Sequence, residues 1–153
     1  MTLTSRNVTV SDDPWSFAKN PSSDLFDVLL HVYDDGLAFE EWLQRLIASR
    51  GLERSEVVRR SYLKRVSAYQ IIAGMRRGTR DKLIQLARGM DLNIEDTCEL
   101  LERGGVCALR PSSRRDATIA YCIARGFTVP VCDDVLARAD MQPLRPDYDD
   151  ARR

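Results

Sequence analysis

Apolar residues recur at helical spacing through most of the chain, and this periodicity constrains the fold more than any other feature of the sequence. From residue 37 onward, apolar positions repeat at intervals of three and four residues, which places them on one face of an α-helix. No stretch alternates apolar and polar residues for long enough to predict a β-strand. The sequence therefore predicts an all-α fold, and its first strong stripe consists of Phe39, Trp42, Leu43, Leu46 and Ile47.

Glycines and short polar residues divide this region into separate helices. Gly51 ends the first helix, and Thr79 and Asn93 stand where the side chain of a helix N-cap is expected. Two short helices lie between them, over about residues 54–61 and 65–73. The pattern thus predicts five helices within residues 37–104.

The two ends of the chain differ from this region. Residues 1–22 are polar and contain two prolines, which predicts a flexible arm, and residues 23–36 predict a short helix followed by a turn. Residues 147–153 are mostly charged, and we expect them to form a frayed tail.

The last third of the chain resembles a second copy of the fourth and fifth helices. A period near 35 residues that contains two helices is the size of a helical-hairpin repeat. We therefore predict a C-terminal helical hairpin over residues 105–146, and the alternative is chance similarity between amphipathic helices. The matches at an offset of 35 are Arg80-Asp81 with Arg115-Asp116 and Leu109-Arg110-Pro111 with Leu144-Arg145-Pro146, while Ala87-Arg88-Gly89 matches Ala124-Arg125-Gly126 at 37, which indicates two residues inserted and later removed.

Charge is unevenly distributed, although the chain is neutral overall with 23 basic and 23 acidic residues. Residues 50–88 hold 11 basic and 3 acidic side chains, whereas residues 1–43 hold 2 basic and 8 acidic ones. A basic segment in an otherwise acidic chain indicates a polyanionic partner such as nucleic acid. The alternative is an ordinary solvated helix face.

The cysteine and histidine content argues against several kinds of site. The four cysteines form no C-x-x-C pair and the single histidine is His31, so we expect neither a zinc finger nor a histidine-based catalytic triad. We expect no metal, no cofactor and no enzymatic activity. The apolar runs are far shorter than a membrane span requires, and we expect a cytoplasmic protein whose cysteines are small buried apolar groups.

The spacing of apolar, basic and glycine residues around the third helix forms a distinctive pattern. It consists of Leu52-Glu53-Arg54-Ser55-Glu56-Val57-Val58-Arg59-Arg60-Ser61, then Tyr62-Leu63-Lys64-Arg65 and Ile71-x-x-Gly74, and it continues through Arg76-Arg77-x-Thr79-Arg80-Asp81-Lys82-Leu83 and Leu86-Ala87-x-x-Met90-x-Leu92. In this pattern, residues 37–104 resemble the Xre/lambda-repressor-like helix-turn-helix family. The resemblance implies a five-helix domain that binds double-stranded DNA sequence-specifically as a transcriptional regulator. It also implies a homodimer associated with the nucleoid.

The resemblance further implies which residues contact DNA. The helix over about residues 65–73 is the recognition helix, which enters the major groove. Basic and hydroxyl side chains hold phosphates, whereas arginine can read guanine, glutamine can read adenine and valine can touch a thymine methyl group. The implied backbone contacts are Arg54, at a position where the family usually has glutamine, with Arg76, Arg77 and Arg80, and the implied reading face is Lys64, Arg65, Val66, Ser67 and Gln70.

Tyr62 departs from the family pattern, which commonly has glycine in the turn before the recognition helix. A bulky aromatic residue is poorly suited to a left-handed backbone, whereas glycine adopts it freely. We therefore expect a longer or differently angled turn.

A second function is consistent with the same fold. Helix-turn-helix geometry is also a packing solution, so the fold alone does not establish DNA binding. The chain could instead be a protein-interaction adaptor that keeps this fold and binds a partner protein through the C-terminal hairpin.

Overall fold

The computed structural model describes residues 35–148, together with Lys19 and Pro21. Contacts divide the chain into two units, residues 1–37 and 38–153. The predicted arm over residues 1–22 and the predicted helix and turn over residues 23–36 lie almost wholly outside the described residues, as do residues 149–153.

Residues 38–148 form seven α-helices and no strands, which confirms the all-α prediction for this part of the chain. The predicted bounds of the second helix, 54–61, agree with the structure, and the third helix ends at residue 72 rather than 73. In chain order the helices are α1 (Phe39–Ser49), α2 (Arg54–Ser61), α3 (Arg65–Ile72), α4 (Arg80–Gly89), α5 (Ile94–Arg103), α6 (Arg114–Ala124) and α7 (Val129–Arg138).

Two helix starts are fixed by the short polar side chains that the sequence indicated. The Thr79 hydroxyl accepts a hydrogen bond from the Lys82 N–H at the start of α4, and the Asn93 side chain accepts one from the Asp96 N–H at the start of α5. These bonds satisfy N–H groups that have no partner within the helix. Both predicted N-caps are therefore confirmed.

Helix α4 lies at the centre of the core. Every residue from 83 to 90 is buried, and α4 packs against α2, α5 and α7. The approach to α2 is close at Gly89, where an added Cβ would lie 2.6 Å from the Val57 carbonyl oxygen. A residue with a side chain would push the two helices apart, so the fold requires glycine at this position.

Two reciprocal ion pairs join α4 to α6. The Arg80 guanidinium donates two hydrogen bonds to the Asp116 carboxylate, at 2.9 and 2.8 Å. The Arg115 guanidinium donates two to the Asp81 carboxylate, both at 3.0 Å. The arginine of each Arg-Asp dipeptide is therefore paired with the aspartate of the other dipeptide.

The same two arginines also fasten the loops that follow the two hairpins. Each donates from Nε and from a terminal nitrogen to two successive backbone carbonyls further along the chain. The acceptors are Cys107 and Ala108 for Arg80, and Gln142 and Pro143 for Arg115. The contacts of the first hairpin therefore recur in the second at an offset of 35 residues.

The loop inside each hairpin follows the same register. Asp91 has a φ of +54° and Gly126 has a φ of +70°, so the left-handed residue after the first helix also recurs at 35. The matched Ala-Arg-Gly triplets had indicated an offset of 37. No inserted residues are needed, because Asp91 occupies in the first hairpin the left-handed position that Gly126 occupies in the second.

The environment of Asp116 predicts how stability depends on pH. Burial raises the pKa of this carboxyl, but hydrogen bonds from Arg80 and from the Arg110 N–H, with the nearby positive charges, outweigh burial and hold the pKa below its ordinary value. A carboxyl of this kind stabilises the fold above its unfolded-state pKa of about 3.9, and the stabilisation is lost as pH falls through the folded-state pKa. We expect the stability advantage of wild type over Asp116→Asn to shrink below about pH 4, as measured by urea unfolding. An advantage that stays constant down to about pH 2 would contradict this prediction.

Two predictions about individual residues are wrong. Tyr148 is only 2% exposed and its hydroxyl donates to Asp134, so the prediction of a frayed tail over residues 147–153 is wrong for Tyr148. Cys107 is exposed and Cys98 is partly buried, whereas Cys122 and Cys132 are fully buried. The expectation of a buried apolar role therefore fails for Cys107.

Candidate nucleic-acid interface

Helix α3 has a buried face and an exposed face of different chemistry. Ala68, Ile71 and Ile72 are at most 1% exposed and anchor the helix against α1 and α2. On the other side, Arg65 is exposed and Val66 is 69% exposed. Helix α3 therefore presents a cation and an apolar side chain to solvent.

The turn between α2 and α3 has three residues, with Tyr62 first. Tyr62 itself adopts the left-handed conformation, with φ +59° and ψ +20°. The Ser61 hydroxyl oxygen accepts a hydrogen bond from the Leu63 N–H at 3.2 Å, and the Gln85 side chain donates to the Ser61 carbonyl at 3.0 Å. These bonds hold Tyr62 in the left-handed conformation that glycine adopts freely. That the turn is longer or differently angled than the family's stays a prediction.

Arg76 is brought over the exposed face of α3 by the loop that follows the helix. Its terminal nitrogen lies 3.4 Å from both the Ser67 hydroxyl and the Gln70 side-chain oxygen. The Arg65 guanidinium lies over the Tyr69 ring, 5.7 Å from its centroid. Contacts thus bring together three of the residues predicted for the site, Arg76, Ser67 and Gln70. Arg65 and Lys64 are exposed at the start of the same helix.

Arg54 and Arg77 are not drawn into this group by any contact that the structure describes. Arg54 is exposed at the first position of α2. Arg77 is exposed after α3, and its guanidinium lies beside Gly105, where an added Cβ would be 3.9 Å from a terminal nitrogen. Both side chains are exposed to solvent.

Arg80 has a different role from the one predicted. Four of its five N–H groups donate to the Asp116 carboxylate and to the Cys107 and Ala108 carbonyls. The Asp116 hydrogen bond is the main cause that raises the pKa of this guanidinium. An arginine occupied in this way holds the hairpin in place and has little left to offer a phosphate.

A groove of about 760 Å³ opens beside the turn and the start of α3. One wall includes Tyr62, Lys64, Ser67 and Arg76, and the other is the segment 142–147. Lys82, near the start of α4, also lines the groove. Sequence reasoning missed the second wall, and the signal that could have found it is the recurrence of Leu-Arg-Pro at residues 144–146.

The electrostatics of this surface favour an anion. Residues 57–80 hold seven basic side chains and no carboxylate. In the groove, Asp81 is engaged by Arg115, which leaves Asp147 as the other acidic residue of the lining. Guanidinium, amide and hydroxyl groups on one exposed surface can bind phosphates and can also pair with base edges.

Among residues 35–148, no cluster of three or more His, Cys, Asp or Glu residues has a geometry that could hold a metal ion. No helix there is long and apolar enough to cross a membrane. Comparison with known proteins gave no match to a family model, to a curated protein or to a solved structure.

Proposed function

We propose that the chain is a sequence-specific regulator that binds double-stranded DNA, with α2 and α3 as its helix-turn-helix and α3 as the recognition helix. The observation that carries the proposal is the placement of Arg76 against Ser67 and Gln70. This contact puts a cation and two hydrogen-bonding side chains on the exposed face of a short helix that is anchored on its other side. Arg65 and Val66 complete that face.

The distribution of exposed apolar side chains supports the same surface. Among residues 35–148, five large apolar residues are exposed, and three of them lie on or next to α3: Tyr62 at 49%, Val66 at 69% and Met75 at 76%. Apolar groups amid cations suit DNA, where they touch thymine methyl groups or sugars while the cations hold phosphates. The sequence resemblance to Xre-like proteins agrees with this assignment and suggests a homodimer on a two-part site.

The second candidate is a protein-interaction adaptor that binds through the C-terminal hairpin. The observation in its favour is the pair of exposed apolar residues there, Tyr121 at 47% and Val131 at 41%. Arg125 already lies over the Tyr121 ring, 3.5 Å from its centroid, which occupies one face of that ring. The two functions are compatible within one molecule.

The proposal predicts separate effects on base preference and on overall affinity for DNA. After selection of a preferred site from random oligonucleotides, Gln70→Ala and Arg65→Lys should each weaken binding to that site by about 1–3 kcal/mol, because each loses a paired hydrogen bond to a base. Preference should relax at one position of the site. Binding to unrelated DNA should change little, because neither substitution removes a positive charge.

Two control variants make this test specific. Arg45→Lys is the matched change on the exposed surface of α1 and should leave both affinity and preference unchanged. Arg77→Ala should weaken binding to all DNA sequences alike. It should also make the slope of log affinity against log salt shallower by about 0.9, the contribution of one phosphate. Unchanged preference in both Gln70→Ala and Arg65→Lys would overturn the assignment of α3 as the reading helix and favour the adaptor function.

A further inference from the structure

The segment 142–147 is a fixed wall of the groove. Arg115 donates to the Gln142 carbonyl at 2.9 Å and to the Pro143 carbonyl at 3.3 Å. Leu144 is buried, and its N–H donates to the Asp133 carboxylate at 2.6 Å. Backbone and side-chain contacts thus hold this segment opposite the turn before α3.

Arg145 leaves this segment with only part of its guanidinium occupied. Its Nε donates to the fully buried carboxylate of Asp133 at 2.7 Å. In the described part of the chain, its two terminal nitrogens have no hydrogen-bond partner. The side chain is 17% exposed and lines the groove, and its guanidinium carbon also lies 5.8 Å from the centroid of the Tyr148 ring. The terminal N–H groups are thus the part of this side chain that a ligand in the groove could reach.

Tyr62 faces Arg145 from the other wall. The Arg145 guanidinium carbon lies 5.5 Å from the centroid of the Tyr62 ring. A tyrosine in the left-handed region is a true outlier, and such residues concentrate at functional sites. Here the strained backbone directs a half-exposed ring toward an arginine at the mouth of the groove.

The groove as a whole carries an excess of positive charge. Lys64 and Arg76 come from the turn and the loop around α3, Lys82 comes from α4, and Arg145 comes from the opposite wall. Such a cationic groove with an exposed ring at its edge suits a nucleic-acid strand, whose phosphates meet cations on both sides.

We infer that the segment 142–147 is a second DNA-contacting element, in which Arg145 binds a backbone phosphate of the strand that lies in the groove. The inference rests on the proposed function and extends it from α3 to the C-terminal hairpin. The two terminal nitrogens of an arginine form a fork that can donate to two oxygens of one phosphate. The Nε bond to Asp133 fixes the direction in which this fork points. Tyr62 positions this fork beside the recognition helix.

Charge changes at Gln142 test the inference without disturbing the fold. Gln142 is exposed, lines the groove and uses its backbone carbonyl, not its side chain, to accept from Arg115. We expect Gln142→Lys to steepen the slope of log affinity against log salt by about 0.9, and Gln142→Glu to weaken binding to every DNA sequence. The matched controls are Ala124→Lys and Ala124→Glu, at an exposed position of α6 that does not line the groove.

Arg145→Lys tests the guanidinium itself. The lysine keeps a positive charge beside Asp133 but lacks the fork that remains free in arginine. We expect a loss of affinity on all sequences that Arg125→Lys does not produce. Arg125 is a matched control because it also lies over a tyrosine ring and does not line the groove.

The possible failures of the inference and of the proposed function are distinguishable. If wild type binds DNA with strong salt dependence and Arg77→Ala weakens it, but the Gln142 variants behave like the Ala124 variants, the segment 142–147 does not contact DNA and the inference is wrong. If wild type shows no salt-dependent binding, the proposed function fails, and the inference fails with it. If Arg145→Lys lowers the unfolding midpoint, the two Gln142 variants decide the question.

Discussion

Raising the salt concentration from about 50 to about 200 mM should weaken the binding of each protomer to duplex DNA by about 150-fold. Four exposed cations other than Arg145 are expected to meet phosphates. They are Arg54, Arg76 and Arg77, and Lys64 at the edge of the reading face. Each phosphate neutralised contributes about −0.9 to the slope of log affinity against log salt, so four give about −3.6. A dimer that holds two half-sites would double the slope. Fluorescence anisotropy with a labelled duplex at five or more salt concentrations measures it.

The magnitude of this slope separates the two candidate functions. Binding that does not depend on salt, or no binding at the lowest salt, would rule out the DNA function and leave the adaptor. Arg80→Lys provides an internal comparison, since Arg80 is occupied by Asp116 and two carbonyls. As long as this variant remains folded, it should keep the wild-type slope, whereas Arg77→Ala should reduce it.

Arg88→Ala should destabilise the fold by about 3–5 kcal/mol, the largest effect on stability expected for a single residue outside the apolar core. The Arg88 side chain is 1% exposed, and it donates to the carbonyls of Leu92 and Phe127, which lie in the equivalent loops of the two hairpins. Truncation would leave a cavity, and it would remove the donor from the buried Leu92 carbonyl and from the partly buried Phe127 carbonyl. Urea unfolding measures the loss, and the unfolding midpoint should fall while the m-value stays unchanged.

A second substitution separates packing from charge at the same position. Burial lowers the pKa of Arg88, and its Nε has no hydrogen-bond partner among the described residues. Arg88→Met fills most of the space without a buried charge, so we expect it to cost about 2 kcal/mol less than alanine. Arg110→Ala, at an exposed position, should change stability by less than about 0.5 kcal/mol. Equal losses for alanine and methionine would show that the lost bonds to Leu92, Phe127 and Asp91, and not packing, account for the whole effect.

Helix ends could be predicted from the sequence because their causes are local. Thr79 and Asn93 cap helices through N–H groups three residues away, and the α2 bounds follow from an apolar stripe and the turn after it. Tyr62 shows the limit of this reasoning. Its left-handed backbone is held by Gln85 from another helix, and such a partner is not apparent from the sequence of the turn.

The roles of charged residues were harder to predict because they depend on partners far along the chain. Arg80 is a basic residue in the segment predicted to contact phosphates, yet its partner is Asp116, 36 residues away. Arg88 lies four residues after the buried Ile84 and therefore on the same face of α4. This spacing indicates burial, but a charged side chain is not expected in a core.

The exposed face of the candidate site followed from helical periodicity, whereas its connections did not. The spacing of residues 65–72 correctly separates the exposed Arg65 and Val66 from the buried Ala68 and Ile71. The contact between Arg76 and Gln70 depends on the path of a loop, and the second wall of the groove depends on the packing of a hairpin 70 residues later. That this face reads DNA stays a prediction.

The reciprocal pairing of Arg80-Asp81 with Arg115-Asp116 limits how far the hairpin repeat can extend. In symmetric assemblies, a contact in which both partners use the same surface closes at two copies, whereas a head-to-tail contact can propagate. The two ion pairs are of the first kind within a single chain, since each unit both gives and receives a guanidinium. Both carboxylates are then occupied, so a third hairpin with the same dipeptide would meet no open partner. The two hairpins thus form an internal dimer, closed in the way that isologous subunits are closed.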